Sequence, residues 1–355
     1  MLTVFAAPFA LSAATQVLDT PPEQAEQDLS YLENRTLLLH DPQTGRFRLH
    51  DLKWPVARNA FGYSGAEPSE KAEEKRLYEI ALRHSTHFRD VLGVAGALYL
   101  QGGEDTLISL AVFDAESQNI RAGQMWAAKF HLSDNDAALL CSLYAGRDAL
   151  LGLRQLPGER IDWLILASAS AKRLGDEGSE AVHMSNLGSA YLELRNPQTA
   201  IEYLELGLEI NKREGDRRGE GSALGNLVIA HRQLGKPQQA IDFCERQLKI
   251  TRDICDAFGE GNALGNIGLA YADLGNHTRA IENYQMQIEI AHGAGNRRGE
   301  GNALYNWAVE QVKLGEIGEA IEKGEAALKI YEQIEDPNAE KVRQALAEWR
   351  SQQTP

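Results

Sequence analysis

One period governs most of this chain. Shifted by 40 residues, the second half of the sequence superposes on itself: Asp176, Asp216, Asp256, Asn296 and Asp336 share one register, and Asn186, Asn226, Asn266 and Asn306 another. Leu194, Leu234, Leu274 and Leu314 follow, then Gly235, Gly275 and Gly315, then Ala-Ile pairs starting at Ala200, Ala240, Ala280 and Ala320. Ile210, Ile250, Ile290 and Ile330 close the units. A fixed period of this length restricts the fold to a solenoid, in which each unit buries its apolar face only against its neighbours.

Each unit reads as two helices. Asp216 is suited to an N-cap, and Glu220 to the positive helix start. Ala223, Leu224, Leu227, Ala230 and Leu234 recur at helical spacing. Gly235 stops this helix, and Pro237 restarts the chain at an early helical position. Ala240, Ile241, Cys244, Leu248 and Thr251 mark the apolar side of the second helix. The segments "NLGSAYLELRNPQTAIEYLELGLEI" (186–210) and "NIGLAYADLGNHTRAIENYQMQIEI" (266–290) resemble tetratricopeptide repeats of the long, 40-residue type found in peptide-binding scaffolds. Four such units cover 176–335, a degenerate unit occupies 136–176, and "NAEKVRQALAEWR" (338–350) reads as a terminal capping helix. The resemblance implies an all-α, right-handed solenoid over 136–355. Its first helices would line a concave groove that takes a protein or peptide ligand.

The repeats carry a costly feature. "RRGEGSALGN" (217–226), "AFGEGNALGN" (257–266) and "RRGEGNALYN" (297–306) place glycines in the first helical turns, where each is about 1 kcal/mol worse than alanine. Gly188 and Gly268 occupy the register at which such repeats need a small residue, with Val228 and Ala308 as departures. Gly219, Gly221, Gly225 and their counterparts would admit either a neighbouring helix or a bound chain, and both explanations stand. Asparagine is also a poor helix former, yet Asn186, Asn226, Asn266 and Asn306 recur mid-helix. Asn262 and Asn302 lie one turn earlier on the same face, where the second repeat has Ser222. An amide donates and accepts, so it pairs with any peptide backbone. These residues, with Tyr305, are the candidate peptide-binding groove. The alternative is that each amide holds the backbone of the adjacent repeat.

Residues 1–62 have another rhythm. A helix begins near Pro22, and "TLLLHDPQTGRFRLH" (36–50) reads as one hairpin. A helix followed by such a wing suggests a winged-helix domain. "GRFRLHDL" (45–52), with "VFAAPFALSAA" and "YLENRTLLLHD", resembles the winged-helix segment of signal-transducing NTPases of the NB-ARC type. Leu49, His50 and Asp51 stand where that family has Met-His-Asp. By resemblance His50 and Asp51 would sense the phosphate of bound ADP. The alternative is a histidine that packs the hairpin and an aspartate that caps the next helix. No GxxxxGK[ST] loop occurs in the sequence. ADP or ATP would therefore reach this chain only through an NTPase domain upstream, and the chain itself carries no cofactor. It reads as the C-terminal half of a larger protein, or as an internal-start product. Residues 63–135 read as a helical connector of the same NTPases. His84 and His87 lie one helical turn apart there, but no further ligands suggest a metal site.

Charge decides among the remaining functions. The net charge is −15 and the isoelectric point about 5.1, a balance that repels nucleic acid and acidic membrane surfaces. A winged-helix transcriptional regulator with a repeat sensor is the alternative function, but its DNA-facing helix would carry Glu23, Glu26, Asp28 and Glu33 and no basic residue. No nucleophile–base set or paired carboxylates stand out, so no enzymatic activity is expected. Cys141, Cys244 and Cys255 fit neither a zinc site nor a disulfide framework. The apolar start has no Lys or Arg before Arg35, unlike a secretory signal, and no segment approaches the ~20 apolar residues of a membrane span. The expectation is a cytoplasmic protein-binding scaffold, the sensor or regulatory half of a signal-transducing NTPase, with oligomers possible in the complete protein.

Overall fold

The computed structural model describes residues 4–35, 37–49, 70–101, 104–146, 150–334 and 336–353. They divide into two compact units, Met1–Ser179 and Glu180–Pro355. The first runs β1 (Phe9–Ala10), α1 (Leu11–Leu18), α2 (Pro22–Asn34), β2 (Leu38–Asp41), β3 (Arg46–Leu49), α3 (Glu70–Gln101), α4 (Glu104–Phe130), α5 (Asn135–Tyr144), α6 (Leu151–Arg154) and α7 (Pro157–Leu174).

The hairpin forms because its turn has the right chemistry. Asp41 accepts hydrogen bonds from the Gln43 amide at 2.9 Å and the Thr44 hydroxyl at 2.7 Å, and Gly45 takes a left-handed φ of +65°. Sequence periodicity predicts one hairpin here, and the structure adds a strand. β1 pairs antiparallel with β3, Phe9 opposite Phe47, giving the sheet order β1-β3-β2. Phe5, Phe9 and Phe88 form a buried aromatic group that joins this segment to α3. Asn119 of α4 accepts from the amides of Ala6 and Ala7 at 2.9 and 3.0 Å. α3 and α4 pack along each other, tied by Ser85 to the Gly123 carbonyl at 2.9 Å and Ser109 to the Ala95 carbonyl at 2.7 Å.

The second unit is built from paired helices: α8 (Glu177–Glu193) with α9 (Pro197–Glu214), α10 (Arg217–Gln233) with α11 (Pro237–Asp253), α12 (Ala257–Asp273) with α13 (His277–Gly293), α14 (Arg297–Leu314) with α15 (Ile317–Gln333), closed by α16 (Asn338–Gln353). Local chemistry sets the boundaries. Asp216, Asp256 and Asn296 cap α10, α12 and α14 by accepting from the amides of Gly219, Gly259 and Gly299 at 2.9, 3.0 and 2.9 Å. Such a cap contributes about 1 kcal/mol over alanine. Gly235, Gly275 and Gly315 carry φ of +68°, +74° and +83° at the turns between paired helices. Leu204, Leu208, Ala223, Leu224 and Leu227 are buried together across the α9–α10 boundary. Ile241, Cys244 and Ile267 repeat that contact one unit later. Burying each Leu or Ile this way stabilises by roughly 1.5–3 kcal/mol. This unit is an all-α solenoid.

Candidate functional site

Side chains that the cores leave over meet on one side of the second unit. α10, α12 and α14 line a groove of about 660 Å³, and α11, α13, α15 and α16 contribute to its floor and one end. Seven of the eight residues named as groove candidates line it: Ser222, Asn226, Asn262, Asn266, Asn302, Tyr305 and Asn306. Asn186 lies half-buried on α8 and is not part of this lining. Asn226, Asn266 and Asn306 are half-buried, and Asn262 and Asn302 are exposed. Two amides have partners: Asn226 donates to the Ser189 hydroxyl at 3.1 Å, and Asn302 accepts from Tyr331 at 2.6 Å. The first bond links adjacent repeats, so Asn226 serves the stack as well as the groove.

The glycines divide by what surrounds them. A Cβ on Gly219 or Gly259 would meet the capping carboxylate of Asp216 or Asp256 at 2.7 Å. On Gly221 or Gly261 it would find ordinary contact distances. On Gly188 or Gly268 it would collide with Leu204 or Tyr284 of the paired helix. Gly225 and Gly265 face the groove, and there a Cβ would sit 2.8 Å from the carboxamide nitrogen of Gln247 or Gln287.

Those two glutamines went unnoticed in the sequence. Each is 6% exposed, lines the groove, and has a carboxamide oxygen with no hydrogen-bond partner among the described residues. An unsatisfied buried polar group costs about 1–3 kcal/mol. The signal lay in the period: Gln247 and Gln287 are 40 residues apart, in step with Gly225 and Gly265. Arg218, at the α10 end of the lining, and Lys341, on α16, also escaped notice. Neither forms an ion pair among the described residues, although Lys341 lies 5.1 Å from the centre of the Tyr305 ring. Asp256 is occupied as a helix cap. The groove is therefore amide-rich, with two uncommitted positive charges in a chain of net charge −15. Its tyrosines stay neutral: burial pushes Tyr331 up to about 12 and raises Tyr305 as well.

His50 and Asp51, the candidate nucleotide-sensing pair, lie outside the described residues. His84 is buried against Phe5 and Phe88, with His87 one turn away. Among the described residues no group of three His, Cys, Asp or Glu side chains is placed to hold a metal ion. None of the described helices is long and apolar enough to cross a membrane.

Comparison with known proteins agrees with this architecture. Residues 179–253 and 259–333 match the tetratricopeptide repeat family. A signal transduction ATPase with numerous domains from Pyrococcus horikoshii, with a tetratricopeptide repeat sensor, is 20% identical with a TM-score of 0.51. The match covers 96% of this chain and 51% of that protein, so the chain spans about half of its length. A Rap protein complexed with competence and sporulation factor is 15% identical with a TM-score of 0.56, over 94% of this chain and 76% of the other. Aspartyl phosphate phosphatase F from Bacillus subtilis is 13% identical with a TM-score of 0.55, over 82% and 86%. At these identities the likeness is one of fold. No curated protein matches the sequence.

Proposed function

We propose that the groove of the second unit binds an extended peptide segment and that the chain is the sensor half of a signal-transducing NTPase, the NTPase domain lying upstream. One observation carries the peptide reading: amides from α10, α12 and α14 line one groove, and Asn266 and Asn306 make no side-chain hydrogen bond to another repeat among the described residues. Amides at successive repeats match the repeating amides of a peptide main chain and read little of its sequence. Arg218 and Lys341 favour a ligand with acidic side chains or a free carboxylate. The Rap protein of similar fold is complexed with competence and sporulation factor, which supports a ligand-binding role for such a fold. The sensor reading is supported by the Pyrococcus horikoshii protein, whose likeness spans both units, and by the resemblance of residues 45–52 to the NB-ARC winged-helix segment. His50 and Asp51 would then face the nucleotide of the upstream domain. No group in the groove is arranged for chemistry, so the role proposed is binding.

The test begins with a random 12-residue peptide library selected on the purified chain. Replacing Asn266 and Asn306 with alanine should weaken the selected peptide about tenfold, as expected for two hydrogen bonds of roughly 0.5–1.5 kcal/mol each. Their thermal midpoints should move little. Asn226→Ala should lower the midpoint as well, because Ser189 loses its partner. Peptides that bind the double variant as tightly as the native chain would refute the reading.

A further inference from the structure

One position of the first helix meets one position of the second in successive repeats: Ser185 lies by Gly207, Gly225 by Gln247 and Gly265 by Gln287, and the same register in the fourth repeat holds Tyr305 and Ala327, which share one buried cluster. In three of the four pairs a large residue on one helix faces a small one on the other, and in the first repeat both are small. Close packing explains that reciprocity. It does not explain why the large partner is a carboxamide in both central repeats. Methionine would fill the same length without burying a polar group, a change that cores tolerate well. Both glutamines are 6% exposed, both line the groove, and the carboxamide oxygen of each has no partner among the described residues.

We propose that Gln247 and Gln287 are two equivalent rungs that pair with main-chain N–H groups three residues apart in a bound peptide of polyproline-II-like conformation. The proposal rests on the peptide reading of the groove. Two identical acceptors in successive repeats call for two identical donors at a regular interval, which a main chain supplies whatever its sequence. Cationic side chains are disfavoured by the uncommitted charges of Arg218 and Lys341. The last torsion of glutamine is broad and two-fold, so a half-turn exchanges oxygen and nitrogen at little cost. Gln247 of α11 and Gln287 of α13 lie against Gly225 of α10 and Gly265 of α12; α10 and α12 pack directly on each other, and packed helices lie roughly 8–10 Å apart. A polyproline-II chain rises about 3.1 Å per residue with three residues per turn, so it presents the same face every ~9 Å. A β-strand alternates faces and would turn every third N–H away. The ladder is bounded by the neighbouring pairs: Tyr305 fills the glycine position of the fourth repeat, and Gly207 replaces the glutamine in the first.

The test uses the tightest peptide from the library selection, N-methylated at one residue at a time, against the native chain, Gln247→Met and Gln287→Met. On the native chain, two positions three residues apart should each lose about tenfold on methylation, the order expected for a hydrogen bond to a buried partner. Gln247→Met should erase one of these penalties and Gln287→Met the other. Neither substitution should lower the thermal midpoint. Penalties that persist unchanged in both variants would overturn the rungs while leaving the peptide groove intact. So would variants that lose several degrees of thermal stability and bind the peptide normally, since the glutamines would then be packing residues. If no selected peptide is weakened by Asn266→Ala with Asn306→Ala, the groove reading itself fails, and the rungs with it.

Discussion

A glycine's value in this protein depends on which atom faces its missing side chain. Gly261 has its nearest neighbour outside its own helix, Ile290, at 3.8 Å from where a Cβ would stand, and no left-handed φ. Gly261→Ala should therefore stabilise the chain by about 0.5–1 kcal/mol, through helix propensity and a less free unfolded state. Gly268→Ala makes the same chemical change seven residues on and should destabilise by about 1–3 kcal/mol, because its methyl enters the buried Tyr284 ring. Urea midpoints of the two variants should move in opposite directions, and movement in the same direction would refute the packing assignment. The repeated glycines were legible in the sequence as a pattern, but not their separate tasks. A pattern marks where small residues stand. Only the folded surroundings say whether a cap, a ring or a groove-lining glutamine requires them.

Elements defined by local signals were legible, and those defined by distant partners were not. The paired helices, their caps and the β2–β3 hairpin all follow from residues a few positions apart. β1 is two residues long and exists because Phe9 and Ala10 meet Phe47 and Arg46, a partnership that periodicity cannot reveal. The same segment buries His84 of α3 beside Phe5. Burial, aided slightly by the neighbouring His87, lowers the His84 pKa to about 4. Unfolded, this imidazole titrates near 6.5. Between those values the unfolded chain holds a proton that the folded chain refuses, so the stability is complete above pH 6.5 and is lost as pH falls. The loss should approach about 3 kcal/mol near pH 4. His87 and His231, both lowered by burial, add to the slope in the same direction. Stability measured from pH 7 to 5 should fall clearly in the native chain and more gently in His84→Leu. Equal slopes would show that His84 accepts its proton in place.

At the scale of the molecule, a stack of repeats has to end somewhere, and α16 provides the end of the second unit. Ala320, Ala327 and Tyr331 of α15 share one buried cluster with Val342, Leu346 and Trp349 of α16 and with Ala308 of α14. Gly324 marks the closeness of the fit: a Cβ there would stand 2.9 Å from both Leu346 and Trp349. Val342, Leu346 and Trp349 are 1%, 2% and 6% exposed, and burial of three such side chains contributes on the order of 5 kcal/mol or more. The same helix supplies Lys341, Asn338 and Val342 to the groove, so closing the stack and closing one end of the groove are one act of packing. Because repeats contact only their neighbours, damage at one end should stay there. Truncation after Asp336, or the milder Trp349→Ala at about 3–5 kcal/mol, should strip amide-exchange protection from α14 and α15 while α8 to α11 keep theirs. Peptide affinity should fall in parallel, even though Asn226 and Asn266 lie outside the damaged pair. Loss of protection spread evenly from α8 to α15 would mean that the unit unfolds as one cooperative body, and the local account of its stability would then be wrong.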